Sequence, residues 1–85
     1  MTTLYLVNRR DAAGQLCDLL SAGDALVLCG DAVFCWQQPW PEQVQLHVLA
    51  EDAGARNLQL PATLSAIDYP ALVQLCESHA RVVAW

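Results

Sequence analysis

The run Ala25-Leu26-Val27-Leu28-Cys29 holds five apolar residues in a row, with no polar residue alternating between them. Such a strand is covered on both faces, which is the usual situation in the middle of a parallel sheet. A half-covered strand would instead alternate apolar and polar residues. The sequence therefore predicts a central strand over residues 25–29.

Other apolar runs and helical patterns alternate with this strand along the chain. Apolar runs also predict strands at residues 4–7, 44–49, 64–67 and 82–85. In the run at 44–49, Gln45 and His47 alternate with apolar residues, so one face of this strand is expected to be less completely covered. Leu16, Leu19 and Leu20 recur at helical spacing and are followed by Gly23, which is typical of a helix end. A shorter helix is predicted at residues 31–37, a short turn at 51–56, and a helix that begins at Pro70. Strands joined by short helical crossovers form a mostly parallel sheet, so we predict an α/β fold.

Length and charge exclude several classes of protein. The 85 residues suit one domain, residues 1–85, and the formal charge is -5. The chain has no lysine, and four scattered arginines offer no clustered positive surface for nucleic acid phosphates. No apolar stretch reaches the roughly 18 residues of a membrane span, and the start of the chain lacks a signal-peptide pattern. We therefore expect a cytoplasmic protein that binds neither nucleic acid nor membrane directly.

Polar residues follow most of the predicted strands. In parallel α/β folds, ligand and reaction sites gather beyond the carboxyl ends of the strands. This set is mainly acidic and contains one thiol: Asn8, Arg9, Cys29, Gly30, Asp31, Glu51, Asp52, Asp68 and Tyr69. The aspartates suit helix caps as well as acid-base chemistry. The chain contains no glycine-rich phosphate loop, so we expect no nucleotide cofactor.

Four cysteines are the other source of chemistry, and without a secretory pattern we expect them to be reduced. Cys29 precedes a predicted helix start, where a thiol can be a nucleophile, but it equally suits a buried strand end. Cys17 lies at the edge of an apolar helix face, where it can be partly exposed. Cys35 and Cys76 suit packing on helices. Cys76 and His79 form a single short-range ligand pair, which is too few for a structural zinc site, so no metal is expected.

Four segments together resemble the DsrH/TusB family. They are GDALVLCGDAVF at residues 23–34, VLAEDAGAR at residues 48–56, IDYPALVQL at residues 67–75, and the closing Val83-Ala84-Trp85. The similarity covers nearly the whole chain in the same order. It implies a small three-layer α/β/α domain with a parallel sheet.

The resemblance also implies a function. Members are cytoplasmic subunits of the TusBCD or DsrEFH heterohexamer, which relays sulfur as cysteine persulfide toward 2-thiolation of the wobble uridine in tRNA or in dissimilatory sulfur oxidation. The expected partners are homologous TusC/DsrF-like and TusD/DsrE-like subunits. The main persulfide cysteine belongs to the TusD/DsrE-like subunit, and this chain has Ala50-Glu51-Asp52 at the corresponding place. Some members carry a cysteine within the first helix, close to Cys17.

We therefore predict an accessory sulfur-relay subunit of the tRNA branch, which is not catalytic alone and has Cys17 as a candidate secondary persulfide carrier. Alternatives are a DsrH-type subunit in sulfur oxidation, a standalone sulfurtransferase that uses Cys29, and an interaction module without sulfur chemistry. The terminal strand at residues 82–85 is expected to be covered by the sheet and by a partner subunit.

Overall fold

Strands of this protein lie parallel in one sheet. The structure, a computed structural model, describes residues 2–85 apart from the side chain of Ala13. Within that part, five strands are β1 (Thr3–Val7), β2 (Ala25–Leu28), β3 (Gln45–Leu49), β4 (Ser65–Ile67) and β5 (Arg81–Ala84). Their order across the sheet is β4-β3-β2-β1-β5, and every pair of neighbours is parallel. The α/β fold and the central position of the strand at residue 25 are confirmed.

Short helices connect the strands. They are α1 (Ala13–Leu16), a 3-10 helix (Gly30–Cys35), α2 (Ala50–Ala55) and α3 (Tyr69–Ser78). None of the described helices is long and apolar enough to cross a membrane.

The first predicted helix was too long. Leu16 is fully buried, but Leu19 lies in the turn after α1 and is 53% exposed. Gly14 lies inside the predicted helix, where glycine is among the weakest helix formers. Just before α1, the Asp11 carboxylate lies 3.0 Å from the Arg9 guanidinium.

The path of the chain decides which face of the sheet each helix covers. From β1 to β4 the chain steps in one direction across the sheet, and residues of α1, the 3-10 helix and α2 pack on the same face, here called the front face. The connection from β4 to β5 returns across the sheet. Crossovers between parallel strands are almost always right-handed, so reversing the direction places α3 on the back face. Leu72 and Leu75 of α3 pack there, which confirms the three-layer arrangement.

The two faces are covered unequally. On the front face, residues such as Leu26, Leu28 and Val48 are completely buried under three helical segments. On the back face Leu4 and Val27 are also fully buried, yet α3 itself contains no buried residue. The back layer is therefore the thinner one.

The terminal strand is less covered than its apolar sequence suggested. β5 is an edge strand paired only with β1 among the described strands, and Val82 is 44% exposed. Val83 and Trp85 pack against the front core instead, where the Trp85 ring meets Tyr5 edge to face at 6.5 Å between centroids. One face of β5 therefore packs against the front core, and the other face is exposed to solvent.

Candidate functional site

The carboxyl ends of β2 and β3 are tied together by a carboxylate. Gly30 follows Cys29 at the end of β2, and its N–H donates to Oδ2 of Asp52 at 2.7 Å. Gly30 has a φ of +52°, a left-handed conformation that glycine adopts without the steric cost a side chain would add. Asp52 lies in the first turn of α2. The bond therefore sets the start of the 3-10 helix against the start of α2.

An arginine extends this link. The Arg56 guanidinium donates through Nε to Asp31 Oδ1 at 3.1 Å and through Nη1 to the Asp52 carbonyl at 3.1 Å. Asp31 and Asp52 are thereby each engaged in structural contacts. Neither carboxylate stands free as an acid-base group, and the set functions as a clamp between the two helical segments.

The topology predicts a crevice between the carboxyl ends of β3 and β4, because α2 leaves toward the front face and α3 toward the back face. Such reversals are where ligands bind in open α/β sheets. Asp68 caps α3, accepting the Ala71 N–H at 2.9 Å, as the cap interpretation predicted. Tyr69 is 48% exposed, and its pKa is raised, mainly by the charge of Asp52 and then by burial and the charge of Glu51. The described part of this edge is therefore acidic, and Tyr69 faces the carboxylates.

Cys29 lies at this edge but is poorly suited to nucleophilic attack. The residue is 9% exposed, and its Sγ donates to the Val27 carbonyl at 3.6 Å. Burial, and secondarily the charge of Asp52, raise the pKa of the Cys29 thiol to about 11. The thiol is thus protonated at neutral pH, whereas the thiolate is the reactive form. Its environment matches the buried strand end, one of the two interpretations left open by the sequence.

The three remaining thiols differ in how far they are exposed to solvent. Cys35 is buried and donates to the Arg10 carbonyl at 3.1 Å, and burial raises its pKa. Cys76 is partly exposed beside the back core. Cys17 is also partly exposed and follows the last residue of α1. It lies on the crossover toward the start of β2, and does not belong to the group at the carboxyl ends of the strands.

Other candidate groups have structural roles. His79 ends α3, and its Nδ1 lies 2.7 Å from the Leu75 carbonyl, as expected of a residue at a helix terminus. Within residues 2–85 no three His, Cys, Asp or Glu side chains are grouped to hold a metal ion. Trp36 and Trp40 pack against the front core, and Phe34 is partly exposed under the Arg10 guanidinium at 4.6 Å.

A family model described as DsrH-like protein matches residues 8–82. The chain belongs to the DsrH-like family. The match includes the carboxyl-edge clamp, Cys17 and all of α3. Membership of this family implies a subunit of a sulfur-relay complex. A search of the curated proteins finds no match.

We predict that Cys17 and Cys29 react with an alkylating agent at different rates. With a pKa of about 11, only roughly one Cys29 thiol in 3,000 is ionised at pH 7.5. Iodoacetamide at that pH should therefore modify Cys17 at least about ten times faster than Cys29, as followed by peptide mass spectrometry. The urea-unfolded chain is the control, and its two thiols should react at similar rates. Equal rates in the folded protein would contradict the buried state of Cys29.

Proposed function

We propose that this protein is an accessory subunit of a TusBCD-like sulfur-relay complex that passes persulfide sulfur toward 2-thiolation of the wobble uridine in tRNA. Its partners are homologous TusC/DsrF-like and TusD/DsrE-like subunits in a heterohexamer. The observation that carries the proposal is the family match over residues 8–82, which covers the thiol-bearing crossover and the sheet edge.

The distribution of thiols supports an accessory role. Cys29, the thiol nearest the carboxyl-edge crevice, is buried with a raised pKa, and Ala50-Glu51-Asp52 at the end of β3 contains no thiol. The main persulfide carrier is thus supplied by a partner. The same burial disfavours the alternative of a standalone sulfurtransferase that uses Cys29.

Cys17 is the candidate secondary carrier, and partial exposure suits it to that role. The Cys17 thiolate attacks the outer sulfur of a partner's cysteine persulfide, and the partner's S–S bond breaks. A new S–S bond forms at Cys17, and the partner's cysteine leaves as a thiolate. One persulfide is consumed and one is formed, so no external oxidant or reductant is needed.

The charge pattern supports action through protein contact. The chain carries a net charge of -5 and no lysine, and its carboxyl edge gathers Asp52, Glu51 and Asp68. Such a surface repels tRNA phosphates, so the partners would make the contact with tRNA. The exposed Val82 on the β5 edge and Val73 on α3 are apolar surface available to a partner.

The test uses the protein in its own host. A native pull-down of the tagged chain, with mass spectrometry of the intact assembly, should recover two homologous small subunits in equal copy number. Deletion of the gene should abolish tRNA 2-thiouridine, and the wild-type gene should restore it. Recovery of the chain alone would contradict the complex. Unchanged 2-thiouridine in the deletion strain would contradict the tRNA branch and leave the DsrH-type role in sulfur oxidation as the function to test.

A second prediction tests the role of Cys17 as a sulfur carrier. Cys17→Ser should lower restored 2-thiouridine severalfold, because serine cannot hold a persulfide. Cys76→Ser is the matched control, since Cys76 is the other partly exposed thiol, and it should restore normal levels. Full restoration by Cys17→Ser would overturn the carrier role of Cys17 without affecting the test of the complex.

A further inference from the structure

His47 on β3 has a buried ring nitrogen with no partner. Its side chain lies on the back face, where Nδ1 is 2.8 Å from the Ser65 hydroxyl of β4. Nε2 is sealed from water and makes no hydrogen bond to any described residue. Nearly all buried polar groups in proteins are hydrogen-bonded, so an exception of this kind calls for an explanation. The alternating sequence of β3 put His47 on the less covered face, but could not show that α3 closes over it.

The groups around His47 disfavour a positive charge. Among titratable residues of the neighbouring elements, Cys29 follows β2 directly. Cys76 lies in the last turn of α3, His79 follows that helix, and Glu77 of α3 is exposed. Burial and the nearby His79 both lower the pKa of His47. His47 is therefore neutral in the folded protein at neutral pH.

The element that covers His47 is weakly held. α3 has no fully buried residue, and only partly buried side chains, Leu72, Leu75 and Cys76, pack it against the back core among the described residues. A groove of about 360 Å³ also runs along one flank of the helix. It is lined by His47, Ile67, Ala71, Gln74, Leu75 and Ser78. A helix with few buried contacts is the kind of element that opens locally at low free-energy cost.

We propose that His47 and α3 form a proton-sensitive contact, in which protonation of His47 loosens α3 from the back face of the sheet. Protonated histidine donates from both ring nitrogens, so Nε2 would carry a buried N–H and part of a positive charge without an acceptor. Moving α3 away gives that N–H access to water. The groove leaves space beside the helix for this motion.

The direction with pH follows from the lowered pKa. Once α3 opens, His47 regains its ordinary pKa near 6.5, which is higher than in the closed state. The stabilisation of the closed state is complete above about pH 6.5 and is lost as pH falls through the folded pKa. Acidification therefore favours opening.

Amide hydrogen exchange on the full chain tests this contact, with protection factors corrected for the intrinsic pH dependence of exchange. Between pH 7.5 and pH 5.0, protection over residues 72–78 should fall relative to β2, because protonation of His47 favours the open state. His47→Gln should abolish the fall. His79→Gln should retain a smaller fall, since His79 contributes to the lowering of the His47 pKa in the closed state.

Two results would overturn the proposal: unchanged relative protection in the wild type, or an equal fall in His47→Gln. If His47→Gln does not fold, the wild-type protein still provides a test by NMR titration. The ring signals of His47 and the amide signals of α3 should then share one midpoint, and clearly different midpoints would refute the coupling.

Discussion

Leu26→Ala is expected to lower the free energy of unfolding by about 3–5 kcal/mol. Leu26 is completely buried in β2, where it pairs with Tyr5 of β1 and Leu46 of β3. Truncation removes apolar contact on the front face and leaves a cavity among neighbours that the sheet holds in place. Urea denaturation followed by circular dichroism measures the loss.

Leu19→Ala is the matched control because it makes the same chemical change at a side chain that is 53% exposed. Its cost should stay below about 1 kcal/mol. Similar losses for the two variants would mean that the front core is not centred on β2. Domains of this size are stable by only about 5–15 kcal/mol, so Leu26→Ala should also lower the yield of folded protein.

Asp24→Ala should destabilise the protein by about 2–4 kcal/mol. Asp24 is 4% exposed, and its two carboxylate oxygens accept the N–H groups of Thr3 and Ser21, each at 2.9 Å. It thereby fastens the start of β1 to the turn before β2. Alanine leaves the buried Thr3 N–H without its acceptor. Urea denaturation again provides the measurement.

Two other variants sharpen this result. Asp24→Asn keeps one oxygen acceptor but presents an NH₂ group in place of the other, so we expect an intermediate loss. Asp18→Ala removes an exposed carboxylate from the same crossover and should change stability by less than about 0.5 kcal/mol. A loss for Asp24→Ala no larger than for Asp18→Ala would show that the N–H groups of Thr3 and Ser21 do not depend on this side chain.

The site separates structural carboxylates from accessible thiols. Asp52, Arg56 and Asp31 hold the carboxyl edge together, and Cys29 is enclosed beside them. Cys17 and Cys76 are therefore the partly exposed thiols of the chain. Under the proposed function, a subunit built in this way would depend on a partner for the principal sulfur-carrying step; the family match itself implies a sulfur-relay subunit.

The sequence by itself determined the order and type of the main elements. An unbroken apolar run placed β2 at the centre of the sheet, alternation in β3 assigned Val48 and His47 to opposite faces, and Asp68 with Pro70 marked the start of α3. These features are local, because side-chain periodicity and capping act over a few residues. The family resemblance was equally readable from the quoted segments.

Only the tertiary structure decided burial and electrostatics. The apolar sequence of β5 did not reveal its edge position, and Cys29 and Cys17 differ in access because of the elements packed around them. The bond from Gly30 to Asp52 and the sealed Nε2 of His47 join residues from separate strands and helices. Such properties depend on which distant segments meet and how much water they exclude, and these physical quantities arise only when the chain is folded.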